Sequence, residues 1–221
     1  MSGTSTAPRV RPVVVLLGLL SLALNLRAAL AAYPPLLETV RGELGVSAGA
    51  GGLVQASVVL MMAAGSFAGS PIGTRFGRER ALGAAVGLVA VGSLTRGVAA
   101  LAPLIGGSLL VGFGIGVGGV LLTGVVKEHL ASRAGAATGA YVVSMMVGAT
   151  VSSAVAVPLA VALGGWSRSL AVWAVPALLT AVAWTGVARR IPPRTVSRRV
   201  RLCRGATTSP GSPPATKPRR L

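Results

Sequence analysis

VVVLLGLLSLALNLRAALAAYPP, residues 13–35, is the stretch that decides the fold. An apolar run from Val13 to Leu24 continues, past Asn25 and Arg27, through Ala28 to Ala32. A helix rises 1.5 Å per residue, so about 20 such residues cross a hydrocarbon core about 30 Å thick. In hydrocarbon a backbone amide finds its partner only within its own helix, which predicts a membrane-spanning helix here. Pro34 and Pro35 remove two consecutive amide donors and predict the break at its far end.

The same pattern recurs along the chain. Six apolar blocks run from Val13 to Leu37, Ala48 to Ile72, Ala81 to Ala100, Leu101 to Val126, Ala134 to Leu163 and Leu170 to Val187. Short polar breaks separate them, namely ETVRGELGVS, GTRFGRER, KEHLASR and GGWSRS, with only a weak turn signal, ALAP, between the third and fourth. Of the 221 residues 52% are hydrophobic and 11% charged, far below the quarter of charged residues usual in soluble domains. The fold class is therefore an all-α membrane protein of six transmembrane helices. We divide the chain into a tail over 1–12, a six-helix domain over 13–188, and a basic, Pro/Arg-rich tail over 189–221 that lacks the apolar surface to fold.

The net charge of +17 looks at first like a nucleic-acid signal. Its placement argues otherwise. Arg9, Arg11, Arg75, Arg78, Arg80, Lys127, Arg133, Arg189 and Arg190 fall on one side of the predicted spans, and Arg41, Arg96 and Arg168 on the other. That asymmetry predicts an inner-membrane protein with both termini cytoplasmic. The distal tail reads as a solvated segment held near anionic headgroups, in preference to nucleic-acid binding. A cleaved leader is a rival for the first block. Apolar residues that continue to Leu37, and a charge at Arg27, argue for a retained span.

Chemistry has few places to reside. There is no Asp, one histidine (His129) and one cysteine (Cys203), so neither a Ser–His–Asp triad, a paired-histidine metal site nor a disulfide is available. GFGIGVGG, residues 112–119, matches G-x-G-x-x-G, but lacks the preceding strand and later acid of a dinucleotide site. Its Gly112/Gly116 and Gly114/Gly118 spacings instead predict close helix packing in lipid. No cofactor is implied.

Arg27 remains. It lies about 20 Å into the first span, just past mid-depth, where a guanidinium costs about 2.5–3.5 kcal/mol on insertion scales. That cost predicts a polar cavity, and the planar two-pronged donor suits a small planar anion. The alternatives are snorkelling to the outer headgroups or a structural bond to a neighbouring carbonyl. Asn25, about 200° around the helix, more naturally bonds a neighbouring helix. Tyr33 marks the outer end, either as an interfacial aromatic or beside freed carbonyls near Leu30 and Ala31 that face a solute path. Gln55 and Tyr141 line a cavity or act as interhelical glue. The substrate-binding candidates are thus Arg27, Asn25, Tyr33, Gln55 and Tyr141.

On these residues the chain resembles a known family. The six-span layout, GTRFGRER and the glycine-rich fourth span look like the amino-terminal half of a major facilitator superfamily transporter. LNLRAALAAYPPLLETVRGELGVS, VGSLTR, GFGIGVGGVLLTGVVK and GGWSRSLAVWAVPALL resemble more closely the cyanate/2-nitroimidazole transporter family. The resemblance runs from Leu19 to Trp184. It implies one half of a major facilitator fold and a secondary transporter of a small anionic or polar solute such as cyanate, not an enzyme. It also implies a conformational loop at Arg75, Gly77 and Arg78, with Thr74 where the family's loop motif has Asp and Glu79 in place of its last basic residue. Leu110 stands where the fourth span of the superfamily carries Arg. Beyond solute and bilayer, the partner implied is a second six-helix half or a second copy. The alternative is a non-transporting remnant or assembly subunit, since the change near Ala188 is what a frameshift or early stop produces.

Overall fold

The computed structural model of the protein describes residues 12–129 and 134–190, so both tails predicted from the sequence lie outside the described residues except for Pro12, which begins the first helix, and Arg189 and Arg190, which end the last. The order is α1 (Pro12–Ala31), a 3-10 turn (Pro34–Leu36), α2 (Leu37–Leu44), α3 (Ala48–Phe76), α4 (Arg78–Thr95), α5 (Leu101–His129), α6 (Ala134–Leu163), α7 (Trp166–Val172) and α8 (Ala174–Arg190). Among the described residues there is no strand.

Five segments are long and apolar enough to cross a membrane, with α1 to α2 counted as one and α7 to α8 as another. The sixth rod is α4, whose first turn holds Arg78, Glu79 and Arg80. Packing aligns it with the others. The backbone of α4 at Ala85 lies against Gly114, and at Gly92 against Gly107, so α4 runs antiparallel to α5 along its length. By the same reading α3 runs parallel to α5, α6 parallel to α1, and α8 antiparallel to α1. Direction therefore alternates through six crossings, and residues 12 and 190 emerge at the same end. The protein is a multi-pass membrane protein.

The fourth-span glycines make the close approaches that their spacing predicts. Gly112 and Gly116 sit on the α3 backbone at Val58 and Met62. On the next face Gly114 meets α4, where an added Cβ would stand 2.7 Å from the Ala85 carbonyl oxygen, and Gly118 receives Leu26 of α1. In lipid, where apolar burial drives little association, such backbone contact is what holds helices together. Outward, Leu60, Phe67, Val161, Leu179 and Val182 are exposed, as a hydrocarbon-facing surface requires. Inside, Leu19, Leu22, Leu82, Val86, Val89, Leu122 and Trp184 form the main core.

Two local readings are corrected. ETVRGELGVS is not simply a break, because Leu37–Leu44 forms α2, burying Val40 and pairing Arg41 with Glu38 at 2.8 Å before Gly45 ends it at φ 63°. The turn between α4 and α5 falls at residues 96–100, reaching only the first residue of ALAP, with Pro103 inside the first turn of α5, where a missing amide is tolerated. The double proline does end α1 as expected, and α6 keeps its predicted limits.

Candidate functional site

Helix α1 is the axis of the site, since α6, α8 and α5 all pack on it. Asn25 is buried, and its Nδ2 donates to the Ser21 carbonyl and to Thr180 Oγ1 on α8, both at 2.9 Å. It is interhelical glue. On the α6 side, Gly148 lies against the Leu24 backbone and Ser153 Oγ donates to the Ala31 carbonyl at 2.9 Å. On the α5 side, Leu26 fills the space left by Gly118. Arg27 follows Leu26 by about 100° around the helix, which places it between the α5 and α6 contacts, where those two helices touch little. It is partly exposed and makes no hydrogen bond or ion pair with the described residues.

The other candidates do not gather around Arg27. Tyr33 is buried and its hydroxyl donates to the Gly51 carbonyl at 3.1 Å, tying the end of α1 to the start of α3. Gln55 lies one turn further along α3, its Oε1 buried without a partner. Tyr141 packs at the edge of the main core. With Gly148 level with Leu24, helical rise puts Tyr141 about 15 Å from Arg27 along the bundle axis. Of the carbonyls expected to face a solute path, that of Ala31 is taken by Ser153. A cavity of about 400 Å³ lies elsewhere, between α1 and α8, lined by Val14, Gly18, Leu179 and Trp184 among others.

At the opposite end of the bundle, Gly77 turns α3 into α4 at φ 87°, ψ 136°, a conformation closed to other residues without strain. Arg78 then pairs with Glu128 on α5 at 2.7 Å and rests on Gly124. Arg75 lies over the Phe76 ring, 5.6 Å from its centroid. Of the predicted loop residues, Arg78 alone bridges two helices.

Arg96, which the charge count treats as an outer loop residue, is 2% exposed. Its Nε donates to Ser108 Oγ and its Nη1 to the Ala29 carbonyl, both at 3.1 Å.

A family model for the Major Facilitator Superfamily matches residues 15–215. The chain belongs to that superfamily. Its six-rod unit also superposes on superfamily transporters of known structure. The inward-open xylose transporter XylE of E. coli matches with a TM-score of 0.73 at 17% identity, over 83% of this chain and 48% of that one. A peptide transporter, POT, matches with a TM-score of 0.70 at 15% identity, over 92% of this chain and 44% of that one. Among superfamily members of closer sequence is a protein called uncharacterized transporter YycB, from Bacillus subtilis (strain 168), 35% identical over 76% of this chain and 42% of its own length. The 2-nitroimidazole transporter and the cyanate transport protein CynX of Escherichia coli (strain K12) are 34% and 30% identical, over 78% and 77% of this chain. This chain spans less than half the length of these relatives, 44% for both Escherichia coli proteins.

Proposed function

We propose that this chain is the six-helix half of a secondary transporter for a small anionic or polar solute, and that Arg27 is the solute's contact. One observation carries the reading: a guanidinium at mid-depth in α1, partly exposed between α5 and α6, without a partner among the described residues. An unpaired intramembrane charge is expensive, and a charge-seeking solute is the function that repays it. The names of two relatives, a cyanate transport protein and a 2-nitroimidazole transporter, support a small planar solute. Alternating access requires a facing half, and here that is a second six-helix unit or a second copy. We place the assembly in the inner membrane with both termini cytoplasmic, on the distribution of basic residues.

Uptake of labelled cyanate by the full chain in liposomes, as covalently cross-linked dimer and as monomer, tests the reading. Arg27→Ala removes charge-assisted hydrogen bonds of about 1.5–3 kcal/mol, so the half-saturating concentration rises by about tenfold or more. Equal uptake by the Arg27→Ala variant removes the guanidinium from the solute path. Correctly inserted protein that moves no small anion leaves the non-transporting subunit.

A further inference from the structure

We propose that Arg96 is a positioning residue that sets the rotation of α1 about its axis and thereby holds Arg27 toward the gap between α5 and α6. The inference rests on the reading of Arg27 as the solute contact and names what keeps it there.

Pro34 and Pro35 remove the amides that would bond the Leu30 and Ala31 carbonyls, and the chain leaves the helix after Ala31, so that the last backbone bond is Ala32 N–H to Ala28 and the Ala29 carbonyl is also open to other partners. Two are supplied by side chains from different helices, Ser153 of α6 to Ala31 and Arg96 to Ala29. A helix end held by its own ladder needs neither. Here the outer half of α1 is oriented by its neighbours.

The attachments differ in quality. Ser108 Oγ donates to the Leu104 carbonyl at 2.6 Å, which directs its lone pairs at Arg96 Nε. Arg96 is further wedged by Gly107, where an added Cβ would lie 2.8 Å from Arg96 Cγ. The guanidinium is thus seated on α5 as it bonds α1, whereas Ser153 and the Asn25–Thr180 pair join α1 to a neighbour without a further seat on a third helix. Ala29 and Arg27 differ by about 3 Å along the axis and about 200° around it. Arg96 therefore braces the back of α1 at the depth where Arg27 leaves the front. A turn of α1 by half a residue, about 50°, carries Arg27 into the α5 or the α6 contact.

The charge has a second effect. No carboxylate pairs with Arg96 among the described residues, and two of its five N–H groups are used. A strut alone needs no cation. An unneutralised guanidinium at this depth adds to the potential that draws an anion toward Arg27.

Alkylation of single cysteines reads the rotation without any transport. In full chain carrying Cys203→Ser, reconstituted in liposomes, the N-ethylmaleimide rate is measured at Leu24→Cys, Leu26→Cys and Arg27→Cys, with Phe67→Cys as a lipid-facing reference. With Arg96 present, Arg27→Cys reacts at least tenfold faster than its two neighbours. Arg96→Gln, and more mildly Ser108→Ala, lower that preference at least threefold while the Phe67→Cys rate holds. A preference unchanged in both variants overturns the role of Arg96 and leaves the solute contact standing. An Arg27→Cys thiol no faster than its neighbours with Arg96 intact overturns both readings.

Discussion

The hydroxyl of Tyr33 donates to the carbonyl oxygen of Gly51 at 3.1 Å, joining the end of α1 to the first turn of α3 from within the bundle. Both residues are buried. Tyr33→Phe keeps the ring in place and leaves the Gly51 carbonyl to its own helix. It should lower unfolding stability by about 1 kcal/mol, read as a fall in the midpoint of thermal unfolding in detergent.

The glycines of α5 offer a matched pair. At Gly116 an added methyl meets the Met62 carbonyl and the Ser66 amide nitrogen, whereas at Gly119 nothing lies within 4 Å. Gly116→Ala should destabilise by about 1–3 kcal/mol through separation of α3 from α5. Gly119→Ala should be neutral or slightly stabilising, because alanine is the better helix former. The same unfolding assay in detergent separates them. Equal effects would mean that α3 and α5 do not meet along this stripe.

Gly77 is held by backbone conformation and not by space, since an added Cβ there has no neighbour within 4 Å. At φ 87° an alanine is strained whatever the room, so Gly77→Ala should cost about 1–3 kcal/mol. Proteolysis at the α3–α4 turn in liposomes should accelerate accordingly.

Arg78 and Glu128 are each more than a third exposed, at 39% and 38%, so their 2.7 Å pair sits in water-screened surroundings. A double-mutant cycle with Arg78→Gln and Glu128→Gln should give a coupling below about 1 kcal/mol, shrinking further in high salt. A larger coupling indifferent to salt would show that this end is sealed from solvent in the assembled protein.

What the sequence disclosed is what hydrocarbon enforces locally. Spans follow from length and apolarity, the end of α1 from two prolines, and the packing stripe of α5 from glycine spacing. Helix α2 was hidden because eight residues with four polar members lack a periodic signal long enough to read, and its burial of Val40 depends on neighbours. Arg96 was hidden for a different reason. Nothing in VGSLTR says that the carbonyl of Ala29, 67 positions earlier, comes within 3.1 Å of its guanidinium. An apolar chain with no Asp and few acids did hold one clue, a basic residue beside a span with no acid near in sequence to answer it. The spread of Gln55 and Tyr141 away from Arg27 was equally out of reach, since levels along the axis emerge only once α3 and α6 are docked.

The parity of the crossings has a topological consequence. An even number returns the chain to the leaflet it started from, so a duplicate of the unit, appended through any hydrophilic linker, inserts with the same polarity as the original. An odd number would turn each appended duplicate upside down relative to the one before and force its glycine stripe to run the opposite way.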